Sequence, residues 1–232
     1  MQLASSSMTM SARQPPPGTT GQHALEALRR DIITGQLGPG DRVRQEDVAE
    51  SLGISIGPVR EALAVLEQEG QVTYRPRRGY FVTELRVEDL EEIYELRRIL
   101  EERAARMSLP TLDEDAIGRI AVAARDCMNA VEAGNVSAEL EANRRFHFAI
   151  LESPEHLHTM RLIRLLWDST EAYRAFYYNS AAERKNAIDA HDRILAAIRA
   201  GSADDLVREL DAHRERALLV LKQILTRRSD AD

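Results

Sequence analysis

Three of the six histidines lie in the middle of helix-like stretches, and they are the residues of this chain best suited to holding a metal ion. They are His147 in "EANRRFHFAIL", His191 in "AIDAHDRILAAI" and His213 in "ELDAHRERALL". Each has apolar neighbours at helical spacing, which lets its ring point inward. Asn143 lies four residues before His147, one turn up the same helix face. Three imidazoles from three helices, with an amide oxygen beside them, suit a divalent transition metal such as zinc or nickel. The alternative is three unrelated histidines, each satisfied by a nearby carboxylate such as Asp192 or Glu215. Spacing across separate helices does not choose between the two.

A second group of residues points to nucleic acid. In "ISIGPVREALAVLEQEG" (54–70), Ser55 is placed to cap a helix and Pro58 falls in its first turn. Arg60 then puts a cation where it opposes the helix dipole, which suits an end that faces something more negative. An arginine there can reach a phosphate or the O6/N7 edge of guanine, and Ser55 offers a hydroxyl near free backbone N–H groups. Downstream, "QVTYRPRRGYFVTELR" (71–86) carries four arginines against one glutamate. The simpler alternative for Arg60 is an ion pair with Glu46 or Asp47 on a neighbouring helix.

The elements that would position these residues follow from periodicity. The first 21 residues, rich in Ser, Pro and Gly, have little to bury and read as a disordered arm without a signal-peptide core. Helices are predicted at 23–37, 44–53 and 55–70, with Leu25, Leu28, Ile32 and Ile33, then Val48, Ala49 and Leu52, then Val59, Leu63 and Leu66 inward. The period then changes to two β-prone runs, Val72 to Tyr74 and Tyr80 to Thr83, around the basic loop "RPRRG". Helix, short helix, tight turn, helix and hairpin is the order of a winged helix-turn-helix module. From Val87 onward only helical signals remain, at 87–108, 113–133, 136–152, 156–178, 182–200 and 203–227. In the first of these Leu90, Ile93, Leu96, Ile99 and Leu100 fall on one face. The expected fold is therefore mainly α: an N-terminal winged helix-turn-helix domain over 22–85 and an all-α six-helix bundle over 86–228. Trp167, Tyr173 and Tyr177 are assigned to core.

Bulk properties narrow the function. The net charge of −7 excludes a generally basic nucleic-acid binder, yet only the contacting face needs to neutralise phosphates. No apolar run is long enough for a membrane span, and one cysteine, Cys127, excludes an intramolecular disulfide. A cytoplasmic location follows as an expectation. Three histidines with an open position could also serve a metal-dependent hydrolase, but the chain has no HExxH, nucleophile or phosphate-loop motif. A further alternative is a DNA-binding dimer without a small-molecule effector.

The motifs also resemble a known family. "LGISIGPVREALAVLEQEG…RRGYFV" is similar to the DNA-binding domain of the GntR family of bacterial transcription regulators, with Ile56 where that family usually has Arg. The resemblance implies DNA contacts from Arg44, Ser55, Gly57, Arg60 and Gly79, and the basic tip adds Arg77 and Arg78. Ile56 could meet a thymine methyl. The helical part, through "LRRILE", "NRRFHFAIL", "HDRILAAIRAGSADD" and "HRERAL", resembles the ligand-binding FCD domain of the FadR subfamily, with a length close to the VanR-like branch. That implies a metal held by Asn143, His147, His191 and His213, with Asn143 standing where Asp is more frequent. It also implies a small carboxylate effector, for which Arg97 is the candidate clamp; the alternative is an Arg97–Glu101 ion pair. A ligand-responsive repressor acting on double-stranded operator DNA as a homodimer is the expected function.

Overall fold

The computed structural model of the protein describes residues 19–178 and 180–229. Most of the expected arm, residues 1–18, lies outside them. Thr19 caps the first helix by accepting a hydrogen bond from the Gln22 amide at 3.2 Å, so α1 (Thr20–Ile33) starts slightly earlier than its apolar stripe indicates. Then come β1 (Arg42–Val43), α2 (Gln45–Leu52), α3 (Ile56–Gln68), β2 (Val72–Arg75) and β3 (Gly79–Val82). Gly53, left-handed at φ 65°, ends α2 and lets α3 begin three residues later; this is the tight turn of the helix-turn-helix. Val59, Leu63 and Leu66 are fully buried, as their spacing requires.

The wing has three strands rather than two. β3 lies between β1 and β2, antiparallel to both, with Val43 opposite Tyr80 and Val72 opposite Val82. A two-residue strand is too short to show alternation in sequence, so β1 was not foreseen. Ser55 is at the N-cap position of α3, but its side chain makes no capping hydrogen bond.

The remaining helices are α4 (Val87–Ser108), α5 (Glu114–Glu132), α6 (Val136–Leu151), α7 (Leu157–Ser169), α8 (Glu171–Tyr178), α9 (Ala181–Arg199) and α10 (Ala203–Ser229). The stretch 156–178, expected as one helix, is divided at Thr170. Its hydroxyl and that of Ser169 bond back to the Trp167 and Leu166 carbonyls, at 3.1 and 3.0 Å, which competes with helix continuation.

α4 is turned away from its most apolar stripe. Leu90, Tyr94, Arg97, Glu101 and Ala105 face inward, while Leu96 and Ile99 are 42% and 49% exposed. Leu96 and Ile99 share the apolar face read from the sequence, but that face is not the one α4 buries, for a physical reason. Arg97 and Glu101 neutralise each other one turn apart, and together they satisfy further polar partners inside. One apolar core joins the two parts of the chain: Leu28, Leu63, Leu66 and Val82 of the winged part share it with Leu90, Leu140, Tyr173 and Leu221. A second core, around Ile120, Phe146, Trp167 and Ile194, lies within the helical part.

Candidate functional site

The histidines of α6, α9 and α10 converge. The ring centres of His147, His191 and His213 are 5.1 to 5.5 Å apart, and one ring nitrogen from each lies within 4.8 Å of the others. The carboxylate-paired alternative is therefore not realised: Asp192 and Glu215 are exposed on the outer faces of their helices. Asn143 joins the group, its Oδ1 3.1 Å from His191 Nε2. Two atoms bound to one ion at about 2.1 Å stand about 3 Å apart when adjacent, so this pair already has the spacing of neighbouring ligands.

The chemistry of the donor set fits a divalent cation. Burial, the neighbouring imidazoles and the arginines around them push His147 and His191 well below the usual histidine range. Burial, then Arg174, Arg214 and Arg97, push His213 down to about 3. Three neutral imidazoles are what coordination needs. Nδ1 of His147 and Nδ1 of His191 are buried without a hydrogen-bond partner, a cost that a structure rarely keeps without use.

Beside this cluster lies a small cavity of about 30 Å³. Its lining includes Tyr94, Arg97, Glu101, Trp167, Arg174 and Arg214 with Asn143, His147 and His213. Arg97 lines this cavity and also makes the ion pair with Glu101, at 2.8 Å. Glu101 is the centre of the polar network. It accepts from Arg97 Nε, from Trp167 Nε1 at 2.7 Å and from Arg214 at 2.9 Å. Burial alone would push its carboxyl up, but Arg97 and Arg214 hold it down at about 2. Glu101 is the one carboxylate among the described lining residues, set against three arginines. The cavity thus favours an anion.

Sequence reasoning missed Glu101 as a hub and missed Arg174 and Arg214 altogether. The available signal was the 3.6 period running from Leu90 through Tyr94, Arg97 and Glu101. Trp167 is core, as expected, and also cavity wall. The Tyr177 side chain lies outside the described residues.

In the winged part, Arg44, Ser55, Gly57, Arg60, Arg77 and Arg78 are exposed and Gly79 is half-buried. Arg60 forms no ion pair with Glu46 or Asp47; its Nε donates to Gln45 Oε1 at 3.0 Å, at the start of α2. Burial, then Glu67 and Tyr74, push the Tyr80 hydroxyl up, and Arg60 opposes them. Arg75 and Arg78 lie over the Phe81 ring, with guanidinium carbons 4.6 and 5.6 Å from its centre. Arg42, on β1, completes the tip: a Cβ added at Gly79 would lie 3.9 Å from its guanidinium. Arg42, Arg44, Arg60, Arg75, Arg77 and Arg78 take part in no ion pair among the described residues. Arg86, by contrast, is held by Asp89 at 2.8 Å and leaves the basic set.

A winged helix-turn-helix head joined to an all-α domain with a buried polar cavity is the build of a DNA-binding transcription regulator. Comparison with known proteins supplies the family. The chain matches the FCD domain over residues 92–216 and the bacterial regulatory proteins of the gntR family over residues 20–82. It belongs to the GntR family of transcription regulators, with an FCD domain as its helical part. It is 25% identical over 199 residues to the HTH-type transcriptional regulator YdhC of Bacillus subtilis, covering 85% of this chain and 89% of that one. It is 22% identical over 230 residues to the HTH-type transcriptional repressor RspR of Escherichia coli, covering 96% and 98%. Among solved structures it resembles E. coli McbR/YncC, with a TM-score of 0.78 and 25% identity over 89% of this chain and 98% of that one. These relatives are regulators of transcription rather than enzymes.

Proposed function

We propose that the protein is a repressor that grips a near-palindromic operator as a homodimer and is controlled by a small carboxylate bound in its helical domain. The observation that carries this reading is the cluster of buried Asn143, His147 and His191 with half-buried His213, beside an arginine-lined cavity. The contiguous unpaired arginines of the head support the DNA-contacting role of Arg44, Ser55, Gly57, Arg60, Arg77, Arg78 and Gly79. The head is taken as residues 22–85 and the sensor as 86–228.

In this reading Asn143 and the three histidines hold a divalent transition metal, zinc or nickel. When bound, such an ion supplies a Lewis-acidic anchor for a carboxylate oxygen. The chain's own residues supply the rest. Arg97 and Arg174 offer donors to an anion, and Glu101 keeps Arg97 and Arg214 aligned. Trp167 and Tyr94 wall the space against water. Asn143, a neutral amide in place of a carboxylate, leaves the site more positive and so more receptive to an anionic effector. Leu96 and Ile99, on the outer face of α4, are an apolar surface suited to a second copy of the chain. No helix among the described residues is long and apolar enough to cross a membrane, which agrees with action on the chromosome in the cytoplasm. The name of the relative RspR supports repression.

The test is selection of bound fragments from random duplex DNA, followed by titration of the selected operator with and without metal and a panel of small carboxylates. The expected result is a palindromic site whose affinity falls steeply with salt and changes at least several-fold with one acid. Equal affinity under every condition, with no metal retained after purification, would refute the sensor.

A further inference from the structure

α8 connects the two parts of the molecule through consecutive residues. Arg174 faces the cavity: its guanidinium carbon lies 4.2 Å from the centre of the Trp167 ring, and its charge reaches all three histidines. Tyr173 faces the other way. Its ring is 2% exposed and packs in the core shared with the head. Its hydroxyl accepts a hydrogen bond from the Leu85 amide at 2.6 Å and donates toward the Thr83 carbonyl at 3.4 Å. Residues 83–85 are the connection between the last strand of the wing and α4. Successive side chains on a helix diverge by about 100°, so two neighbours can serve opposite faces.

The end of α7, just before α8, also touches the head. Gly70, just past the recognition helix α3, abuts Ser169 at the α7–α8 break, where an added Cβ would lie 3.4 Å from the Ser169 Cβ. The break at Thr170 makes α8 a short helix of its own, distinct from α7. Over two turns, a displacement at Arg174 is a displacement at Tyr173.

We propose that Tyr173 is the positioning residue that carries cavity occupancy to the DNA-binding head: a charge entering the cavity moves Arg174, α8 moves with it, and the Tyr173 hydroxyl resets the connection 83–85. This rests on the cavity being the sensor site, as proposed above. An anion draws the Arg174 guanidinium inward and a cation repels it, so either one biases α8. The Tyr173 ring fills core space, but ring packing alone does not require a hydroxyl on the connection.

Tyr173→Phe separates the two roles, since it keeps the ring and removes the hydroxyl. Amide hydrogen exchange of residues 83–86 is the readout, with Zn²⁺ alone as the probe and thermal melting as the measure of binding. The Leu85 amide should exchange roughly 2- to 10-fold faster in Tyr173→Phe, reflecting one lost hydrogen bond. Zn²⁺ should raise the melting temperature of both proteins equally but change exchange at 83–86 only in the parent. An equal exchange response in Tyr173→Phe overturns the proposal. If Zn²⁺ stabilises neither protein, the metal reading falls and a ligand-free arm decides the coupling. Arg174→Gln should then alter exchange at 83–86 alone but not when combined with Tyr173→Phe, and an equal effect in both backgrounds overturns it.

Discussion

Replacing Glu101 with Gln leaves Arg97 and Arg214 buried against a neutral amide. Both guanidinium groups are 6% exposed and the carboxylate 2%, so water screens the network little. A carboxyl held at about 2 in the folded protein, against an ordinary 4.5, favours folding at neutral pH. Linkage puts that contribution at about 3 kcal/mol. The cost of breaking a buried ion pair from one side, about 3–5 kcal/mol, agrees. For a chain of this size the melting temperature should fall by roughly 6–12 °C. The pH dependence distinguishes lost charge from lost packing. A carboxyl depressed on folding contributes stability above its unfolded pKa, and that stability is lost as pH falls through the folded value. The deficit of Glu101→Gln relative to the parent should therefore shrink from about 3 kcal/mol at pH 7 to about 2 kcal/mol near pH 3.5. His147 and His191 also destabilise the fold in acid, but in both proteins alike; His213, which Glu101 raises, is lowered further in the variant, so the histidines cancel in large part rather than fully. Urea unfolding of parent and variant across this range is the assay. A deficit below about 1 kcal/mol at pH 7, or one that does not change with pH, would refute the account of Glu101 as the charge that holds the cavity arginines.

The same geometry sets further outcomes. His191→Ala should lower the metal retained per chain, and Asn143→Asp should raise it, since a carboxylate binds a cation more strongly than an amide; elemental analysis after dialysis checks both. Arg60→Ala should weaken operator binding by roughly 1–3 kcal/mol if the residue reads a base, whereas Arg78→Ala should act mainly by flattening the salt dependence. Fluorescence anisotropy over a salt series distinguishes the two, and unchanged affinity for Arg60→Ala removes its role.

Much of this molecule was legible without coordinates. The 3.6 period and the punctuation by Gly and Pro placed most helices, because turn chemistry and apolar spacing are local. The switch to period two at Val72 announced the wing. The three histidines and Asn143 were visible as candidates because donor type and helical position are written in the chain. Convergence was not visible: it depends on how α6, α9 and α10 pack, and helix packing is set by contacts between residues far apart in sequence. Two features were hidden for the same reason. Leu96 and Ile99 fall on one apolar face with Leu90, yet α4 buries Arg97 and Glu101 instead, whose partners Trp167 and Arg214 come from α7 and α10. Arg42 was overlooked because its place beside Gly79 comes from a strand only two residues long.

The sequence by itself determined most of the helical segments and which side chains are candidates for binding DNA or a metal. The tertiary structure alone decided that the histidines form one cluster, that a cationic cavity adjoins it, and that Tyr173 reaches the connection to the head. Local backbone preference acts over a few residues, whereas a buried charge persists only where distant helices bring the groups that satisfy it.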